Sequence, residues 1–144
     1  MVRKLKTVAG GPIDARAMLL KAAESLASAE ADLAADRLNS AVSAAVRAGI
    51  QACDAVCLAL GQRRSADQDH GRAVDLLSEI GGGSAEVRQK AKQLLMLLAE
   101  KNAADYSSKR PSREAADRAV KRAAAFHAWS KQQVDAAAGP SASR

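Results

Sequence analysis

The segment RLNSAVSAAVRAGIQACDAVCLAL, residues 37–60, carries the clearest structural signal in the chain. Its apolar residues return every three or four positions, which predicts one long α-helix with a buried face. These residues are Leu38, Val42, Ala45, Val46, Ile50, Cys53, Val56, Cys57 and Leu60. A helix of this kind needs apolar partners along its whole length, so the flanking sequence should supply further helices.

Four more segments have helical patterns. Alanine supplies much of the apolar fraction and aromatic residues are only 2% of the chain, which suits closely packed helices and not a β-sandwich. The predicted fold class is an all-α antiparallel bundle of four to five helices. The other helices are expected from Asp14 as a cap to about Ala35, from about Asp69 to Ile80, from about Ala85 to Ala104, and from Ser112 as a cap through Val134.

A length of 144 residues fits one domain with one core. We expect a basic, flexible N-terminal arm over residues 1–12, a helical bundle over 13–136 and a disordered Ala/Gly/Pro/Ser-rich tail over 137–144. Gly61 is expected to end the second helix in the left-handed conformation, and residues 62–69 to form a polar surface loop.

No apolar run approaches the roughly 18 residues that a membrane span needs, because charged residues interrupt every stretch. No apolar segment of the signal-peptide kind follows the basic N-terminus, so a cytoplasmic location is expected. Cys53 and Cys57 are predicted to be reduced, buried thiols. With His70 or His127 they match no metal-ligand spacing, and Gly81–Ser84 indicates a helix break rather than a phosphate loop, so neither metal nor cofactor is predicted.

A formal charge of +6 favours an anionic partner such as nucleic acid. An ordinary solvated helix face explains the same charge. Any nucleic-acid binding should be mostly electrostatic, because few aromatic residues are available for stacking. The candidate contacts are Lys109, Arg110, Arg113, Arg118, Lys121 and Arg122.

Several features resemble the HEPN superfamily over residues 14–135. The Ala-rich second helix closes with Ala-Leu-Gly, residues 59–61, and the polar loop after it reaches His70-Gly71. Ala-Val-Asp-Leu-Leu, residues 73–77, and Leu-Ala-Glu-Lys-Asn-Ala-Ala-Asp-Tyr, residues 98–106, follow, before a last helix with spaced alanines. The resemblance implies a HEPN-like helical bundle.

Many HEPN members are ribonucleases, often toxins or antiviral effectors, with an Arg and a His four to six residues apart that meet across a dimer. If Tyr106 matches the tyrosine that follows this His, the Arg falls on Ala99 and the His on Ala104. The polar residues left around this motif are Lys101, Asn102, Asp105 and Tyr106. In some toxin members a partner nucleotidyltransferase modifies the matching tyrosine; alternatively, Asp105 and Tyr106 cap and pack the end of the fourth helix.

Other residues satisfy the catalytic spacing elsewhere. Arg122 with His127, and Arg63 or Arg64 with His70, are the candidate pairs if the protein is active. Positions five apart on a helix point about 140° away from each other, so Arg122 and His127 would converge only across a dimer. The plainer interpretations are a half-buried His127 near Trp129 and a His70 bonded to the preceding loop.

Three functions therefore stay open. The preferred one is a non-catalytic HEPN-like binding or regulatory module for RNA, nucleotide or a protein partner; the others are a HEPN ribonuclease of a toxin–antitoxin or phage-defence system and a purely structural helical protein. A nucleotidyltransferase or antitoxin is a possible partner. We also predict a homodimer, because the apolar arc of the fourth helix is wider than one layer covers, with Leu94, Leu97 and Leu98 as the expected interface.

Overall fold

The computed structural model describes residues 4–139 and contains five helices and a two-stranded ribbon. The predicted all-α bundle is confirmed. The N- and C-terminal parts of the expected arm and tail, residues 1–3 and 140–144, lie outside the described residues. In chain order the elements are β1 (Thr7–Ala9), α1 (Pro12–Ala34), α2 (Leu38–Gly61), β2 (Arg63–Ser65), α3 (His70–Gly81), α4 (Ala85–Asp105) and α5 (Arg113–Ala138).

Helix α2 is the centre of the core and packs against all four other helices. Its apolar face, from Leu38 to Leu58, is buried almost without interruption. By length and composition α2 could also cross a membrane, but 72% of its most apolar window is buried inside the protein. That burial is what the core helix of a bundle requires.

Side-chain caps begin three of the helices. Asp69 accepts a hydrogen bond from the backbone N–H of Gly71, Ser84 from Val87 and Ser112 from Ala115. Helix α1 differs from the expectation: its N-cap is Gly11, and Asp14 lies at the third helical position. The Asp14 carboxylate reaches back to the Gly11 N–H at 2.8 Å, so it still satisfies one of the free donors at the helix start.

The ribbon differs from the predicted flexible arm and polar loop. Strand β1 pairs antiparallel with β2, with Val8 opposite Arg64. Two further backbone bonds extend the ladder, from the Gly10 N–H to the Gln62 carbonyl and from the Ala66 N–H to the Lys6 carbonyl. Each segment is only three residues long, Thr-Val-Ala in β1 and Arg-Arg-Ser in β2, which is too short for an alternating pattern to mark it as a strand. Each obtains its hydrogen bonds from the other.

The end of α2 also differs from the prediction. Gln62, not Gly61, adopts the left-handed conformation, with φ 53°. Gly61 is the last helical residue, and a methyl group there would come within 2.6 Å of the Ile80 side chain. The glycine therefore permits α3 to approach the end of α2 rather than supplying the turn.

Candidate functional site

A cavity of about 460 Å³ lies between the start of α3 and the C-terminal half of α4. It brings His70 beside Lys101 and Asn102, which are 31 and 32 positions away in the sequence. The sequence identified these residues separately but did not associate them. The lining residues are Val46, Gln68, Asp69, His70, Gly71, Leu95, Leu98, Ala99, Lys101 and Asn102.

The α3 side of the cavity is held by a chain of local side-chain bonds. The Ser65 hydroxyl accepts from the Asp67 N–H at 3.2 Å, and the Asp67 carboxylate accepts from the Asp69 N–H at 3.3 Å. Asp69 in turn caps α3 through the Gly71 N–H at 2.9 Å. These turns fix the backbone on either side of His70, which begins α3 and is exposed.

The α4 side contributes part of the motif expected from the resemblance. Lys101 and Asn102 line the cavity, and so does Ala99, where the resemblance puts the catalytic Arg. Lys101 pairs with Asp105 one turn later at 2.6 Å. A lysine, an amide and an imidazole can together bind a phosphate or another anion, and the apolar side chains of Leu95 and Leu98 offer a surface for a flat ring.

Tyr106 lies outside the cavity. Its backbone N–H closes the last turn of α4 onto the Asn102 carbonyl, as the capping interpretation expects. Its side chain does not pack there, because 92% of it is exposed. The prediction that the Tyr106 side chain packs against the end of α4 is therefore wrong, because the phenol faces solvent.

The structure does not bring the predicted arginine–histidine pairs together within one chain. Arg122 bonds to Glu100 at 3.2 Å on the α4 side of α5, whereas His127 lines a different cavity against α1. His127 is half-buried, as its plainer interpretation expects, and its Nε2 has no hydrogen-bond partner among the described residues.

The arginines upstream of His70 also point elsewhere. Arg63 pairs with Glu79 at 3.0 Å, and Arg64 donates to the Ser65 carbonyl at 3.3 Å. Neither lines the cavity that contains His70.

Acidic side chains form ion pairs with most of the residues of the predicted basic surface. Arg110 and Arg113 both contact Asp36 at the corner between α1 and α2, and Lys121 pairs with Asp117 at 2.8 Å. Arg118 and Arg122 both pair with Glu100, whose side chain is only 17% accessible. The hydrogen bond to Glu100 raises the pKa of Arg118. Much of this charge is therefore compensated within the fold, and Lys109 lies in the exposed loop between α4 and α5.

The expected dimer residues need correction. Leu94 and Leu97 are core residues with 1% exposure, and Leu98 is half-buried at the cavity wall. Most of the wide apolar arc is buried inside the molecule, because α4 packs against α2, α3 and α5. Gly49 on α2 allows this close approach: a methyl group there would lie 2.8 Å from Leu97 Cδ2. The exposed apolar residues of α4 are Leu95 and Met96.

Both cysteines are buried and unpaired, as predicted. Cys53 Sγ lies 3.5 Å from the Ala73 carbonyl oxygen, within hydrogen-bond range for sulfur. The hydrogen bond with Cys57, together with burial, raises the pKa of Cys53 well above its usual value. A thiol held protonated in this way is a core residue rather than a nucleophile.

The comparisons with known proteins agree with the bundle. The family model of the HEPN domain matches residues 15–133. A crystal structure of TT1696 from Thermus thermophilus superimposes with a TM-score of 0.62 and 25% sequence identity, covering 83% of this chain and 97% of that one. No curated protein matches the sequence. Because the family model spans most of the chain, this protein belongs to the HEPN domain family.

Proposed function

We propose that this HEPN domain is a non-catalytic module that binds RNA or a nucleotide through the cavity between α3 and α4. The proposal depends on one observation: Ala99 occupies the cavity wall at the position where the resemblance expects the catalytic Arg, beside Lys101 and Asn102. The cavity therefore keeps side chains that bind phosphate while a methyl group replaces a group that would stabilise a transition state.

The binding chemistry is divided between the two sides of the cavity. Lys101 supplies a positive charge, Asn102 an amide that can donate or accept, and His70 a ring nitrogen near the N-terminal end of α3. Leu95 and Leu98 form the apolar wall against which a base can pack. An incoming phosphate competes with Asp105 for Lys101, so binding should weaken with salt.

Fluorescence anisotropy with a fluorescein-labelled single-stranded RNA tests this proposal. We expect saturable binding at low salt that Lys101→Ala weakens about tenfold, the loss of one charge-assisted contact. Lys92→Ala is the matched control, because Lys92 is an exposed lysine of α4 that does not line the cavity. Unaltered RNA on a denaturing gel is expected. Equal weakening by both variants would point to diffuse charge, and no affinity at all would favour a structural protein.

A ribonuclease is the second candidate, because an imidazole does line the cavity. His70 could move a proton while Lys101 compensates phosphate charge, and a second copy could also complete the Arg122–His127 or Arg63/Arg64–His70 pairs. Metal-independent RNA cleavage that disappears in His70→Ala or in His127→Ala would replace the binding proposal with this one. Growth arrest on expression would then fit a toxin or phage-defence role.

The proposal extends to the assembly and the cellular setting. We propose a homodimer through the exposed face of α4 around Met96, which does not line the cavity. Tyr106, exposed at the end of the same helix, is accessible to a partner nucleotidyltransferase. Two buried free thiols and the burial of most of α2 inside the bundle fit a cytoplasmic protein.

A further inference from the structure

Strand β1 has an open backbone edge. In an antiparallel pair, residues alternate between those bonded to the neighbouring strand and those facing away. The Lys6 carbonyl and the Gly10 N–H both bond toward β2, so the alternate residues Thr7 and Ala9 direct their N–H and C=O groups to the opposite side. Thr7 and Ala9 are both exposed, and β2 is the only strand beside β1 in the part of the chain that the structure describes. We call the outward groups of Thr7–Ala9 the ribbon edge.

A groove runs beside the ribbon edge. It has a volume of about 260 Å³ and is bounded by both strands of the ribbon, by α1 and by the end of α2. Met18 and Leu58 give it apolar surface, and Lys21 and Arg64 give it positive charge. An added strand could therefore bond to β1 and place alternate side chains in this groove.

The charges around the ribbon edge favour a partner segment that carries negative charge. Lys4 and Lys6 are exposed next to β1, and they join Lys21 and Arg64 in the groove. The carboxyl groups near these four cations include Asp14, Asp54 and Asp67, which follows β2 by two residues. Asp14 is bonded to the Gly11 N–H, and Asp54, which attracts Arg64, is half-buried.

A second copy of the chain does not fit this edge well. Antiparallel pairing of β1 with another β1 would bring Lys4 and Lys6 of both copies into one small sheet, where like charges repel. An acidic segment meets no such repulsion.

We propose that the ribbon edge and its groove form a docking site for an extended, acidic segment of another protein, which adds to β1 as an antiparallel or parallel strand. Backbone hydrogen bonds to Thr7 and Ala9 would give affinity, and acidic side chains facing Lys4, Lys6 and Lys21 would give selectivity. This site is separate from the cavity between α3 and α4, so its existence does not depend on the function proposed there.

The probe is a fluorescein-labelled peptide of alternating Glu and Val, with a Lys/Val peptide as the charge control. We expect the full chain to bind the acidic peptide and not the basic one. Ala9→Pro removes the outward N–H but leaves the bonds of Val8 to β2, and should weaken binding about tenfold. Ala9→Ser keeps the N–H and should bind as the parent protein does. Lys6→Glu should weaken binding similarly to Ala9→Pro.

Far-UV circular dichroism shows whether each variant is folded, and Thr7→Pro replaces Ala9→Pro if the latter is not. Equal binding by Ala9→Pro and Ala9→Ser would overturn the proposal, because attraction would then be purely electrostatic. Absence of saturable binding at low salt would also overturn it. A dimer in sedimentation that Ala9→Pro dissociates would show that a second copy occupies the edge instead.

Discussion

Asp54 is a carboxyl group whose titration should lower the stability of the protein as pH rises. It lies on α2, and its Oδ1 is buried without a hydrogen-bond partner among the described residues. Burial raises the pKa of Asp54 from 3.8 to about 7, although the nearby charge of Arg64 acts in the opposite direction. The neutral acid is therefore the form that the folded protein prefers.

The direction of the pH effect follows from proton binding. Between pH 4 and pH 7 the folded state holds a proton on Asp54 that the unfolded chain has released. The stability that this group contributes is fully present below about pH 4 and is lost as the pH rises through about 7. A rise from 3.8 to about 7 corresponds to about 4 kcal/mol over the whole range.

The part of this energy that a measurement can reach is smaller. Solvent can approach the half-buried Asp54 carboxyl group, and Arg64 can move toward Asp54 when that carboxyl group is ionised. We therefore expect about half of the full loss of stability. Between pH 5 and pH 8 the free energy of unfolding should therefore fall by about 1 to 2 kcal/mol through Asp54.

Replacing Asp54 by Asn isolates this contribution, because the amide has nearly the same shape and does not titrate. Urea unfolding followed by circular dichroism at pH 5, 6, 7 and 8 gives the free energies. The difference between Asp54→Asn and the parent protein should shift in favour of the variant as pH rises. Asp75→Asn is the control, since Asp75 is exposed in an ion pair with Arg72 and should change the slope little. Parallel pH profiles for Asp54→Asn and the parent protein would show that burial does not hold the proton.

Three further perturbations test the core and the basic surface. Leu97→Glu should cost more than about 4 kcal/mol and unfold the protein, because Leu97 is buried, whereas Met96→Glu should leave the melting temperature nearly unchanged and, if α4 forms the interface, give a monomer in sedimentation. Gly49→Ala should cost about 1 to 3 kcal/mol in urea unfolding, because its methyl group would collide with Leu97; unchanged stability would mean that α4 can move away. Glu100→Gln releases two arginines that do not line the cavity between α3 and α4, so RNA affinity should change little, and a severalfold rise with a steeper salt dependence would place the RNA on the basic surface of α5 instead.

The candidate site was predictable in its parts but not as a whole. His70-Gly71 and the segment containing Lys101 and Asn102 were both identified in the sequence, each for its own reason. Their common cavity exists because α3 and α4 pack against each other around α2, and such packing between distant segments leaves no mark at either position. The ribbon is a similar case, since β1 and β2 contain no pattern of their own and each forms only against the other.

Helix positions and the all-α class were predictable from the chain, because they depend on contacts within a few residues: the apolar period of α2, the cap residue Ser112 and the glycines after α3. The direction in which each apolar residue of α4 faces was not predictable. Residues 94–97 are four consecutive apolar residues, Leu94, Leu95, Met96 and Leu97. Because α4 packs against three other helices, the apolar period alone does not tell which of the four are buried. Burial of Leu97 and exposure of Met96 were decided by the approach of α4 to Gly49, which is a property of two helices together.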